Sequence, residues 1–157
     1  MSDVVYRSHV RVERVKGPVR RAYLPSEAQP VVFGVHGAVA EHYKVNPAAF
    51  EPRATTLDYV VAAAAGWLTG TFGGALEARD IRADGERLTG EAVGEIELTE
   101  DNVLVIRRIH VRMSLRAPAE QQVTAERVHG MFAKLCPVYR SLHPAVAITT
   151  ELVFRPS

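Results

Sequence analysis

The sequence predicts an α+β fold organised around one long helix, and three observations predict it. The stretch Thr55 to Arg79, TTLDYVVAAAAGWLTGTFGGALEAR, holds eighteen uncharged residues from Tyr59 to Leu76 and reads as a helix of about six to seven turns. Six further runs have strand character, three before this helix and three after it. Helices and strands do not alternate regularly: the order is β-β-β, long α, β-β, α, short α, β. That order implies an α+β class with an antiparallel or mixed sheet.

The elements follow in chain order. Val4 to Val15 alternates, with Val4, Tyr6, Ser8, Val10 and Val12 on one face and Arg7, His9, Arg11 and Glu13 on the other; this predicts a half-buried strand. Lys16-Gly17-Pro18 is a turn. Val19 to Leu24 returns as a second strand, broken by Pro25 to Pro30, and Val31 to Val35 is a short buried third. His36 to Arg53 carries Gly37, Asn46, Pro47 and Pro52 and reads as a long connection with a helical turn near Val39 to Tyr43. After the long helix, Leu88 to Leu98 and Val103 to Arg116 form a hairpin across Thr99-Glu100-Asp101-Asn102. In its second strand Val103, Val105, Ile109, Val111, Met113 and Leu115 alternate with Arg108, His110, Arg112 and Arg116. Pro118 opens a helix whose apolar stripe is Val123, Val128, Met131, Phe132 and Leu135. Pro137 to Leu142 is a further short helix, and Ala145 to Arg155 is the closing strand. The whole reads as one domain of residues 1–157: N-terminal strands and connection 1–54, central helix 55–79, hairpin 88–116, helices 118–142, closing strand 145–155.

The central helix carries most of the information. Thr55 and Asp58 fit a capping box with Asp in place of Glu. Ala62 to Ala65 are strong helix formers, and Glu77, Arg79 and Asp80 return the chain to water. The segment is apolar nearly all round, which predicts burial. Gly66, Gly70 and Gly74 form a ridge of bare backbone on one face, at a cost of about 1 kcal/mol each relative to alanine, so something approaches closely there. The length reaches the lower limit for a membrane span, and small-xxx-small is a membrane pairing motif, but alanine and glycine make the run only weakly hydrophobic. A core helix that also packs against its copy in a second subunit answers both the burial and the ridge.

Composition bounds the function. The 157 residues are 47% hydrophobic and 24% charged, with a formal net charge of +1, so no nucleic acid or anionic membrane partner is called for. Cys136 is the one cysteine; it can form no internal disulfide, which suits a reducing compartment. The stretch MSDVVYRSHV lacks the apolar run of a signal peptide, and the expected location is cytoplasmic. The six histidines are scattered, no His/Cys spacing of a metal site occurs, and no cofactor is expected. Gly66-x-x-x-Gly70 lies inside a helix and is no dinucleotide fingerprint. The basic stripe Arg108, His110, Arg112, Arg116 stands beside Glu91, Glu95 and Glu97 and reads as cross-strand charge pairing. Cys136 is either a buried, inert thiol beside Leu135 or a more reactive one at the start of the Pro137 helix.

Two motifs carry a resemblance. LDYVVAAAAGWLTGTF looks like the central helix of the osmotically inducible protein C and organic hydroperoxide resistance (OsmC/Ohr) family, in which an acid and small apolar residues precede a cysteine. CPVYRSL at 136–142, followed by AVAITTELVF, looks like that family's Cys-Pro-Val-x-x-x-Leu segment and closing strand. The resemblance covers about Thr55 to Phe154. It implies an OsmC-like fold in an intertwined homodimer, with long helices packed together, a six-stranded, mostly antiparallel sheet on each side and the active site at the interface. It also implies a peroxidase in which one thiolate attacks the hydroperoxide and a second cysteine closes a disulfide that a dithiol reduces. The acid position falls on Asp58 and the second cysteine on Cys136. The family's arginine has Arg20 and Arg21 as candidates. The attacking cysteine falls on Trp67, so the two-cysteine cycle is impossible in this chain. Three readings follow: a small apolar or aromatic ligand or a partner at the former site, a one-cysteine peroxidase using Cys136, or a structural dimer with an interaction role.

Overall fold

The computed structural model describes residues 2–157. It forms two compact units, Met1–Tyr59 and Val60–Ser157, joined within one helix.

In the first unit, β1 (Arg11–Lys16), β2 (Val19–Tyr23) and β3 (Val31–Phe33) form an antiparallel sheet in that order. The β1–β2 turn places Gly17 at φ 53°, in the left-handed region, with the Phe50 ring packed where a side chain would start. The first strand is shorter than expected. Pairing begins at Arg11↔Tyr23, because Pro25 stops β2 two residues later and leaves residues 4–10 no ladder to join. The face expected to be half-buried is exposed instead, at Val4, Tyr6, Val10 and Val12. Glu13, expected on the solvent face, accepts hydrogen bonds from Arg11 (2.7 Å) and the Tyr23 hydroxyl (3.1 Å). The long connection contains α1 (Gly37–His42), where a helical turn was expected, and Arg53 and Ala54 bond back to Val35 and Gly34. Gly34 is required there, since a side chain would meet the Arg53 Cβ.

The long helix is α2 (Thr56–Glu77). In the second unit β4 (Leu88–Leu98), β5 (Leu104–Ala117) and β6 (Ala147–Pro156) make a sheet in the order β4-β5-β6. The six strands are therefore those read from the sequence, but within the chain they divide three and three instead of joining one sheet. Three of the four pairings are antiparallel; β5 and β6 run parallel, connected by α3 (Gln122–His129) and α4 (Pro137–Leu142).

Leu68, Phe72 and Leu76 of α2 meet Ile109, Val111, Met113 and Leu115 of β5 and Val128, Phe132 and Cys136 in one core, all essentially inaccessible to solvent. The helix lies very close to β4. A Cβ on Gly90 would collide with Thr69, and one on Gly94 with Val61. Bare backbone is thus used inside the chain on the strand, where the sequence suggested the helix ridge. A Cβ added at Gly66, Gly70 or Gly74 would meet no atom within 4 Å. The all-round burial expected of α2 is accordingly not found within the chain. Ala64, Leu68, Phe72, Gly73 and Leu76 are buried, while Ala62, Ala63, Gly66, Trp67, Gly70 and Gly74 face outward, because one sheet covers one side of a cylinder.

Two further expectations change. A bulge at Glu95/Ile96 pairs Ile96 with Ile106 and leaves Arg107 extra. It shifts the parity of β5, so Ile106 packs on the core in place of Val105. The helix expected from Pro118 onward is divided: a 3-10 turn at Ala119–Gln121, α3 ending at His129 with Gly130 as its C-cap, then a 3-10 turn at Ala133–Leu135. The break puts Val123, Met131 and Leu135 of the predicted stripe outside, and keeps Val128 and Phe132 in.

Candidate functional site

The start of α2 is built as the spacing suggests. The Thr55 N–H donates to Asp58 Oδ2 at 2.6 Å and the Thr55 hydroxyl at 2.9 Å, while the Asp58 N–H donates to Thr55 Oγ1 at 3.1 Å. These are the reciprocal bonds of a capping box, and Thr55 is buried in making them. One further partner arrives from the loop before α1: His36 Nε2 stands 2.8 Å from the same Asp58 Oδ2. Burial pushes the Asp58 carboxyl upward, but the bonds from Thr55 and His36 outweigh it and hold the group below the ordinary aspartate value. Phe33 packs edge-on against Tyr59, ring centres 4.9 Å apart. The cluster is an acid–imidazole pair, about half exposed, seated on a helix N-terminus.

Asp58, the position to which the resemblance assigns the site's acid, thus has a histidine as its hydrogen-bond neighbour. Arg20 and Arg21 form no ion pair with it. They alternate on β2, so they point to opposite faces: Arg20 is half-buried and gives a hydrogen bond to the Pro18 carbonyl at 2.7 Å, and Arg21 is exposed. His36 was not singled out by the sequence. It lies 22 residues from Asp58, and no local spacing announces the pair.

Trp67 projects from the outward face of α2 and is 55% exposed. It borders the open Gly66/Gly70 ridge and makes the centre of an apolar surface.

Cys136 is the N-cap of α4, and its Sγ accepts the Tyr139 N–H at 3.4 Å. The thiol is 0% exposed, between Phe132 and the α2 side of the core. The geometry of both readings is present: the thiol is buried, and it stands at the start of the Pro137 helix. Sγ presents no surface to solvent, and the sequence has no second cysteine. Nearby, His129 packs against Phe72 and Phe132, and burial lowers its pKa.

Among the described residues no three His, Cys, Asp or Glu side chains gather to hold a metal ion. The outer face of β5 carries the charge pairing read from the sequence. Arg108 is bridged to Glu95 and Glu97 of β4. Arg112 turns instead to Glu151 of β6 at 3.9 Å, and the same glutamate lies 3.2 Å from His110.

Residues 50–151 match the family of OsmC-like proteins. Solved structures share the fold. An OsmC-like protein of unknown function from Vibrio cholerae O1 biovar eltor is 14% identical, covers 95% of this chain and 100% of its own, and superposes with a TM-score of 0.74. An OsmC-like protein from Mycoplasma pneumoniae is 12% identical over 96% of this chain and 99% of its own, with a TM-score of 0.71. An organic hydroperoxide resistance protein of Bacillus subtilis is 13% identical over 96% of this chain and 100% of its own, with a TM-score of 0.64. No curated protein matches the chain.

Proposed function

Because this chain belongs to the family of OsmC-like proteins, we propose that it serves in the response to organic hydroperoxides without the two-cysteine peroxidase cycle, and holds a small apolar or aromatic ligand at the Trp67 face of α2. One observation carries the reading. The only thiol is sealed in the core, while the position that the resemblance assigns to the attacking cysteine is an exposed tryptophan. In a two-cysteine cycle the first thiolate takes one peroxide oxygen, an alcohol leaves, and the second thiol displaces water from the sulfenic acid to form a disulfide. Here the first sulfur is missing and the second is enclosed. A one-cysteine cycle on Cys136 would need the core to open around Phe132.

The working form is a homodimer in the cytoplasm. α2 is long and apolar enough to cross a membrane by length and composition, and most of its apolar surface is left open within the chain. Its open side, Ala62, Ala63, Gly66, Trp67, Gly70 and Gly74, fits the same side of a second copy, whose helix backbone could approach along the glycines. The ligand would lie beside Trp67, where an aromatic ring supplies a large apolar contact.

The deciding assay is consumption of an organic hydroperoxide with a dithiol. Wild-type protein is expected to show little or no turnover. Any turnover gained by Trp67→Cys is expected to disappear in Trp67→Cys/Cys136→Ser. Robust wild-type turnover abolished by Cys136→Ser would overturn the proposal in favour of the one-cysteine peroxidase. Ligand binding has its own readout in the fluorescence of Trp67, the sole tryptophan.

A further inference from the structure

We propose that the arginine end of the outer β4-β5-β6 face is a binding site for a phosphoryl group carried by a small molecule. The proposal is independent of the peroxide chemistry and uses none of its residues.

The basic stripe of β5 is neutralised everywhere but at one end. Arg108 has Glu95 and Glu97, and His110 and Arg112 share Glu151. Arg116 has no ion-pair partner among the described residues, and its parallel neighbour in register on β6 is another arginine, Arg155, also without one. On the other side the β4 ladder opens at Leu88↔Leu115, which brings Arg87 beside Arg116. Three guanidinium groups therefore cross the end of the sheet in one row. Like charges placed side by side across strands are destabilising, and the row has one carboxylate to relieve it. That is Asp84, 3.3 Å from Arg87 and shared with Arg82 at 3.2 Å.

The next row inward holds hydroxyls. Thr89 and Ser114 are paired in register and face the same side as the arginines, since Leu88, Met113 and Leu115 between them point into the core. Arg87, Arg116, Arg155, Thr89 and Ser114 line one cleft of about 230 Å³, with Arg112 at its far side. Arg87 and Arg116 also line an adjoining cleft of about 500 Å³. There Gln121 reaches the Asp80 carbonyl at 3.4 Å, while its own Oε1 is buried without a partner. Across the two clefts five arginines stand beside Asp80, Glu86 and Glu91; Arg82 and Arg87 pair with Asp84 and Arg112 with Glu151, which leaves Arg116 and Arg155 without an ion-pair carboxylate.

This chemistry selects the ligand. Guanidinium forks bind phosphoryl oxygens in pairs, and hydroxyls add donors to the same group. A metal cation would be repelled. The clefts are of small-molecule size, and the positive row is three residues wide, too short to track a polymer backbone on a chain of net charge +1.

The test uses the full chain and inorganic phosphate as the probe, with sodium chloride at matched ionic strength as reference. Phosphate is expected to raise the melting temperature saturably in the wild type. By calorimetric titration, Arg116→Gln and Arg155→Gln are each expected to weaken binding at least about tenfold. Arg127→Gln, an exposed charge on α3 away from both clefts, is expected to leave it unchanged. Without phosphate and at low salt, Arg155→Gln should melt above the wild type, because the repulsion is relieved. The proposal is overturned if phosphate does no more than chloride, if Arg127→Gln weakens binding as much as the row variants, or if only anionic vesicles or oligonucleotides bind.

Discussion

Replacing Gly70 by alanine asks what covers the outer side of α2. Within the chain a Cβ at this position meets nothing within 4 Å. If water covers the ridge, the substitution restores helix propensity worth about 1 kcal/mol and should raise the melting temperature by about 2–4 °C in a chain of this length. If a second α2 packs on the ridge, the added methyl enters a tight interface. Overpacking costs about 1–3 kcal/mol per site, and a two-fold axis repeats the site. The loss of about 2–6 kcal/mol per dimer then stands against about 2 kcal/mol of regained propensity. The proposed dimer therefore predicts unchanged or lower stability for Gly70→Ala, and a large drop for Gly70→Leu. Thermal unfolding at two protein concentrations, read beside light scattering, measures both. A folded wild-type monomer at micromolar concentration, or a Gly70→Ala protein stabilised by the full propensity term, would refute the pairing of helices.

Four other outcomes are expected. Gly94→Ala should destabilise by about 1–3 kcal/mol in chemical unfolding, and more than Gly90→Ala, because the β-branched Val61 facing Gly94 has little rotamer freedom to retreat. Thr55→Ala removes the cap of α2 and should cost about 0.5–2 kcal/mol. The lowered Asp58 carboxyl contributes stability above the ordinary aspartate value that is lost as pH falls through its folded value; Asp58→Asn should flatten that part of the acid-unfolding curve. Burial lowers the His129 pKa, so stability is full above the ordinary imidazole value and declines as pH falls below it towards the lowered folded value. His129→Leu should remove that decline.

The sequence by itself determined the features whose causes are local. The charge-free run and the Thr55/Asp58 spacing specify α2 and its cap within a few residues. Pro25, Gly17-Pro18 and Pro137 mark the ends and starts of their elements, and alternation identifies β4 and β5. Trp67 and the solitary Cys136 are legible as a missing pair from the motifs alone. The tertiary structure decided whatever depends on a partner distant in the chain. β1 starts at Arg11 because of where β2 stops, not because of its own pattern. Alternation cannot register the extra Arg107, which moves Ile106 inward, nor say that β6 runs parallel to β5. The apolar circumference of α2 reads the same on every side; the position of β4, with bare backbone at Gly90 and Gly94, selects the side that is buried. His36 meets Asp58 across 22 residues and Arg155 meets Arg116 across the α3–α4 connection. Cys136 could be exposed or enclosed by sequence, and the core closing over it buried it. Propensity and capping act through neighbours in the chain, whereas burial, register and charge pairing act through neighbours in space.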